Sequence, residues 1–89
     1  MEHTSEVTIV NRNGLHARPA AEFVKLANRF RADVWLRKGD VEVSGKSIMG
    51  VMMHAAECGS VLAVRAAGDD AAQAVEALVE LVRNRFGED

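Results

Sequence analysis

Between Thr8 and Phe30 the apolar residues change their spacing, and the change falls on a glycine, a histidine and a proline. Val7-Thr8-Ile9-Val10 is β-branched and short, and it stops at the polar cluster Asn11-Arg12-Asn13-Gly14. This predicts a strand over about residues 4–10 and a loop after it. From Ala17 the period lengthens: Ala20, Phe23, Val24, Ala27 and Phe30 fall on one face of a helix, with Glu22, Lys25, Asn28 and Arg29 on the other. Pro19 is compatible with that helix only in its first turn, where an amide has no intrahelical acceptor to lose.

The remaining chain repeats the alternation. Asp33–Lys38 and Val41–Val43 flank Gly39-Asp40, which predicts a hairpin with a tight turn. Ser47 is the natural N-cap of a short helix from Ile48 to Ala56, which Gly50 weakens. Glu57–Ser60 is a turn and Val61–Ala67 a strand. Asp69 or Asp70 caps a last helix with the core stripe Ala71, Ala74, Val75, Leu78, Leu81 and Val82; Arg83 and Arg85 complement its dipole and Gly87 ends it. The order is βαββαβα. In 89 residues it favours an α+β fold, a mainly antiparallel four-stranded sheet with helices on one face and the other face partly open to water.

Length allows one domain, residues 1–89. Apolar residues at 48% and charged residues at 27% are ordinary globular proportions. A net charge of −2 gives no basic footprint, and Arg12, Arg18, Arg29, Arg31 and Lys46 lack interleaved aromatics, so nucleic-acid binding is not expected. There is no signal-peptide pattern and no apolar run approaching a membrane span. The single cysteine, Cys58, excludes an intrachain disulfide and fits a reducing compartment. The expectation is a cytoplasmic domain without membrane insertion.

Gly14-Leu15-His16-Ala17-Arg18-Pro19-Ala20 concentrates chemistry at a helix mouth. With His16 at or just before the N-cap, the amides of Ala17 and Arg18 belong to the free first turn, a setting that binds anions. Arg18 adds a donor fork suited to phosphate or carboxylate. These positive surroundings are expected to keep the imidazole neutral and nucleophilic, able to attack a phosphoryl group. The dipole contributes only about 0.3–1 kcal/mol, which suits a group that must be given away again. Residue chemistry alone leaves a plain surface histidine or a poor cap equally open.

This segment resembles the phosphorylation signature of the HPr phosphocarrier family of the bacterial phosphotransferase system. Lys46-Ser47-Ile48-Met49-Gly50-Val51-Met52 resembles that family's regulatory serine motif. The resemblance covers nearly the whole chain and implies an open-faced β-sandwich, four antiparallel strands covered on one face by three helices. It implies that His16 accepts phosphate on Nδ1 from phosphorylated enzyme I and passes it to an IIA protein or domain. Arg18 would contact the phosphoryl group, and the amides of Ala17 and Arg18 would hold its oxygens. Such a chain is a recycled carrier without a cofactor rather than a free-standing catalyst. The resemblance also implies a monomer, phosphorylation of Ser47 by HPr kinase/phosphorylase in the relatives that have it, and a docking face of Ala20, Ile48, Met49, Met52 and Met53. Arg12, Arg18 and Lys46 would lie near acidic partner surfaces.

Two other readings stay beside this one. A regulatory binding module would take its output from Ser47 phosphorylation. A metal-dependent hydrolase would use His3, His16 and His54, but scattered ligands without CxxC or HxxxH spacing make no metal motif, and none is expected. Cys58 is expected to be a small packed residue, and Trp35 to lie on the open sheet face.

Overall fold

The computed structural model describes residues 1–88. At its centre is β4 (Val61–Ala67), whose inward side chains Leu62, Val64 and Ala66 are buried. The other strands are β1 (Glu2–Thr8), β2 (Asp33–Lys38) and β3 (Val41–Ser44), and the sheet order is β1-β4-β2-β3 with every pair antiparallel. Register follows from the alternation of apolar and polar residues. Ser5, Val64, Leu36 and Val43 align in one row across the inner face, and Thr4, Arg65, Trp35 and Ser44 in the next row across the outer face.

Helices α1 (Ala17–Ala27), α2 (Ile48–Met52) and α3 (Ala71–Arg83) cover the inner face. Pro19, Ala20, Phe23 and Ala27 of α1 are buried, as are Ala71, Ala74, Val75, Leu78, Val79 and Val82 of α3. All of these except Pro19 join Ile9, Leu15, Val34, Leu36, Leu62 and Val64 in one apolar cluster. The α+β open-faced sandwich expected from the sequence is the observed fold. Its outer face carries Trp35 as expected, with the Arg65 guanidinium 3.8 Å from the ring centroid. Arg65 also pairs with Glu2 and Glu42, each at 2.8 Å, so one cation links three strands.

Several boundaries differ from the expected ones. β1 runs over Glu2–Thr8 because its seven residues pair one for one with β4; the Ile9 N–H still reaches the Ser60 carbonyl at 2.8 Å. α2 stops at Met52 rather than Ala56, because the last turn tightens into bonds from His54 to Val51 and from Ala55 to Met52, and Ala55 takes φ 45°. The His54 ring is drawn into the core, its Nε2 2.7 Å from the Leu36 carbonyl oxygen. α3 ends at Arg83, not at Gly87. Asp70 is its N-cap, yet the carboxylate accepts the N–H groups of Arg31 and Ala32, at 2.9 and 2.8 Å, instead of capping its own helix. Cys58, expected to be packed, is instead exposed, because it lies in the turn Glu57–Ser60 that leads into β4.

Candidate functional site

The loop after β1 is fixed by backbone bonds. The Gly14 N–H donates to the Asn11 carbonyl at 3.2 Å, and the Leu15 N–H donates to the Ala56 carbonyl at 2.8 Å. Gly14 lies at φ 68° so close to the Ala56 carbonyl oxygen that a Cβ would collide with it. This approach seats the loop against the segment that follows α2. Leu15 then turns into the core, and His16 becomes the N-cap of α1 in extended conformation.

The first turn of α1 is built as expected. The first intrahelical bond at the cap runs from the Ala20 N–H to the His16 carbonyl, 3.0 Å. The amides of Ala17 and Arg18 therefore have no intrahelical acceptor, and Pro19 has no N–H to leave unpaired. No side chain caps the helix, so these donors face outward. Ala17 and Arg18 are exposed, and the Arg18 side chain makes no hydrogen bond or ion pair among the described residues.

An acidic partner changes the expected picture of purely positive surroundings. The His16 side chain is 41% exposed, and its Nε2 lies 3.2 Å from Glu88 Oε1. The same carboxylate oxygen accepts a hydrogen bond from Asn11 Nδ2 at 2.8 Å, and Asn11 Nδ2 also donates to the Gly14 carbonyl at 2.7 Å. The Asn11 hydrogen bond first, then the hydrogen bond and charge of His16 and the charge of Arg18, hold the Glu88 carboxyl below the usual carboxylate range against the opposing effect of burial. Glu88 reaches this place because a turn over Arg85–Gly87 follows α3, with Arg85 and Phe86 in left-handed backbone (φ 58° and 55°) and Phe86 buried. The sequence places Asn11 in a loop and gives Glu88 no role. Separations of 77 and 72 residues from Glu88 leave no local signal of either contact.

Ser47 is the exposed N-cap of α2, its Oγ accepting the Gly50 N–H at 3.2 Å. Ile48 and Met52 are 42% exposed and Met49 and Met53 75%. A helix of five residues buries only Val51 completely, so the other apolar side chains form a patch. α2 packs on α1, and the Leu15–Ala56 bond ties the loop bearing His16 to the chain just beyond the patch. Ala20 is a correction: it is completely buried between α1 and the core, so it presents no surface to a partner. The three histidines are not gathered, and no metal-binding cluster of His, Cys, Asp or Glu exists among the described residues. No helix among them is long and apolar enough to cross a membrane.

Residues 3–84 match the family model described as the PTS HPr component phosphorylation site. The chain is similar to the phosphocarrier protein HPr of Pseudomonas aeruginosa, 49% identical over 84 residues and 93% of each chain. It is also similar to HPr of Neisseria meningitidis, 45% identical over 82 residues and 92% of each chain. Among solved structures it is similar to HPr-C-His from Thermoanaerobacter tengcongensis, with a TM-score of 0.93, 42% identity and 98% of each chain covered.

Proposed function

The chain belongs to the HPr phosphocarrier family of the phosphotransferase system, and from that premise we propose that His16 is the residue that carries the phosphoryl group. The observation that carries this reading is the exposed imidazole at the N-cap of α1 beside two amides without an intrahelical acceptor and a guanidinium with no partner among the described residues. The Nδ1 lone pair forms the bond to phosphorus while the donor's bond breaks and its electron pair leaves with the donor. The amides of Ala17 and Arg18 and the Arg18 fork then hold the phosphoryl oxygens. Phosphorylated enzyme I is the donor and an IIA protein or domain the acceptor. The whole chain acts as one monomeric domain, in the cytoplasm and without a cofactor.

The apolar patch of Ile48, Met49, Met52 and Met53 serves as the docking face, adaptable enough to receive donor and acceptor in turn. Ser47 stands at its edge as a regulatory site for a kinase of the HPr kinase/phosphorylase type. A phosphoserine there adds about two negative charges beside the patch and opposes docking of an acidic partner.

Incubation with enzyme I and phosphoenolpyruvate should yield one acid-labile, base-stable phosphoryl group per chain, absent from His16→Ala. Continued labelling of His16→Ala under those conditions would sink the assignment. Labelling of serine alone, with His16 inert, would favour the regulatory module instead.

A further inference from the structure

Two local penalties converge on the carboxylate that touches His16. Arg85 and Phe86 both adopt left-handed backbone, at φ 58° and 55°, which is unfavourable for a non-glycine residue. Asn11 is fully buried, and its Oδ1 has no hydrogen-bond partner among the described residues, an arrangement that works against stability. The turn also seats Phe86 in the core, but that burial does not require the carboxylate beyond it to meet Asn11 and His16. Together the two penalties serve one geometry: the turn delivers Glu88 to His16, and Asn11 Nδ2 clamps Glu88 Oε1 at 2.8 Å while anchoring itself on the Gly14 carbonyl at 2.7 Å. Local strain held by surrounding structure is a pointer to function.

We propose that Asn11 and Glu88 are positioning residues for the phosphoryl-accepting ring, with Asn11 acting through Glu88 to fix the His16 tautomer. A carboxylate is acceptor-only, so the nitrogen facing Glu88 Oε1 at 3.2 Å must carry the proton. Nε2–H donates to Glu88, and the lone pair resides on Nδ1, which makes no hydrogen bond among the described residues. When Nδ1 attacks phosphorus, the ring becomes an N-phosphoimidazolium whose positive charge is shared with Nε2–H. The Glu88 carboxylate faces that charge and stabilises it; on onward transfer the electron pair of the N–P bond returns to Nδ1 and the neutral ring is restored. The arrangement follows the logic by which a carboxylate orients a catalytic histidine. The charged groups acting on Glu88 are His16 and Arg18 of the α1 N-terminus.

The inference rests on His16 being the phosphoryl acceptor, and the experiment separates the two. The neutral His16 ring of the wild-type chain, observed by nitrogen-15 NMR, should be in the Nε2–H form, and the Asn11 side-chain amide resonance should titrate together with the Glu88 carboxyl. Glu88→Gln and Glu88→Ala, at a partly exposed position, should fold normally, show a mixture of ring tautomers and accept phosphate from enzyme I on the order of tenfold more slowly, as when an outer partner that orients a histidine is removed. Asn11→Ala should raise the Glu88 midpoint and produce the same mixture; if that variant does not fold, the wild-type titration of the Asn11 amide decides its part. A Glu88→Gln chain with unchanged tautomer and transfer rate overturns the inference, as does an Asn11 amide insensitive to Glu88. A wild-type chain with the Nε2–H form that no donor labels at His16 overturns the carrier reading and leaves the positioning role without a reaction.

Discussion

Gly14 meets two demands at one residue: a left-handed backbone at φ 68° and contact with the Ala56 carbonyl that leaves no room for a Cβ. Gly14→Ala should lower stability by about 2 kcal/mol, the scale of a forced backbone conformation, read from urea unfolding. It should also slow phosphoryl acceptance, because the same approach seats His16. Asp70 illustrates a residue whose task is not the one its position advertises. It occupies an N-cap, yet its carboxylate ties the Arg31 and Ala32 amides to the start of α3. The Arg31 hydrogen bond first, then that of Ala32, holds its carboxyl below the usual range, against the opposing effect of burial. The unfolded Asp70 therefore protonates first as pH falls. Its contribution is complete above the ordinary aspartate value of about 3.9 and is lost as pH drops through the lowered folded value. Asp70→Asn should depress the thermal midpoint at pH 7, and the gap to wild type should narrow as pH falls below the ordinary aspartate value; a gap independent of pH would contradict the clamp.

Among the elements, α1 was legible because its signals are local. The helical period, the proline in the first turn and the unpaired amides all follow from residues within three turns of one another, and Phe23 falls on the core side at 1% exposure. Phe23→Ala should cost about 3–5 kcal/mol, measured by chemical denaturation, without changing the fold. The end of α2 was illegible for the opposite reason. His54 leaves the helix to bond a carbonyl of β2, a partner 18 residues away, and Ala55 turns left-handed behind it. The start of α2 is again local: Ser47→Ala should remove the bond to the Gly50 N–H at a cost of about 1 kcal/mol, seen as faster hydrogen exchange at Gly50. Its exposed side chains are a separate matter, since Met49→Ala and Met53→Ala should shift stability by less than about 0.5 kcal/mol yet weaken binding to enzyme I in calorimetry.

For the molecule as a whole, the C-terminus closes the site that the N-terminal third begins. Phe86 packs into the common core at 7% exposure, and the turn it anchors carries Glu88 to His16. Phe86→Ala should cost about 3 kcal/mol and should also free Glu88, so thermal unfolding and the His16 tautomer are expected to change together. The sequence by itself determined the βαββαβα order, the inward stripes, the free amides of Ala17 and Arg18, and the place of Ser47 at a cap, because period, capping and missing amides act over a few residues. Tertiary structure alone decided that Ala20 is buried rather than displayed, that Asp70 clamps a neighbouring loop, and that Asn11 and Glu88 share one hydrogen bond beside His16. Those outcomes depend on which distant surfaces meet when the sheet closes under its helices, and a carboxylate 72 residues away leaves no periodicity to read. Gly14-Leu15-His16-Ala17-Arg18-Pro19 contains the imidazole and the free amides; packing brings Asn11 and Glu88 to the ring.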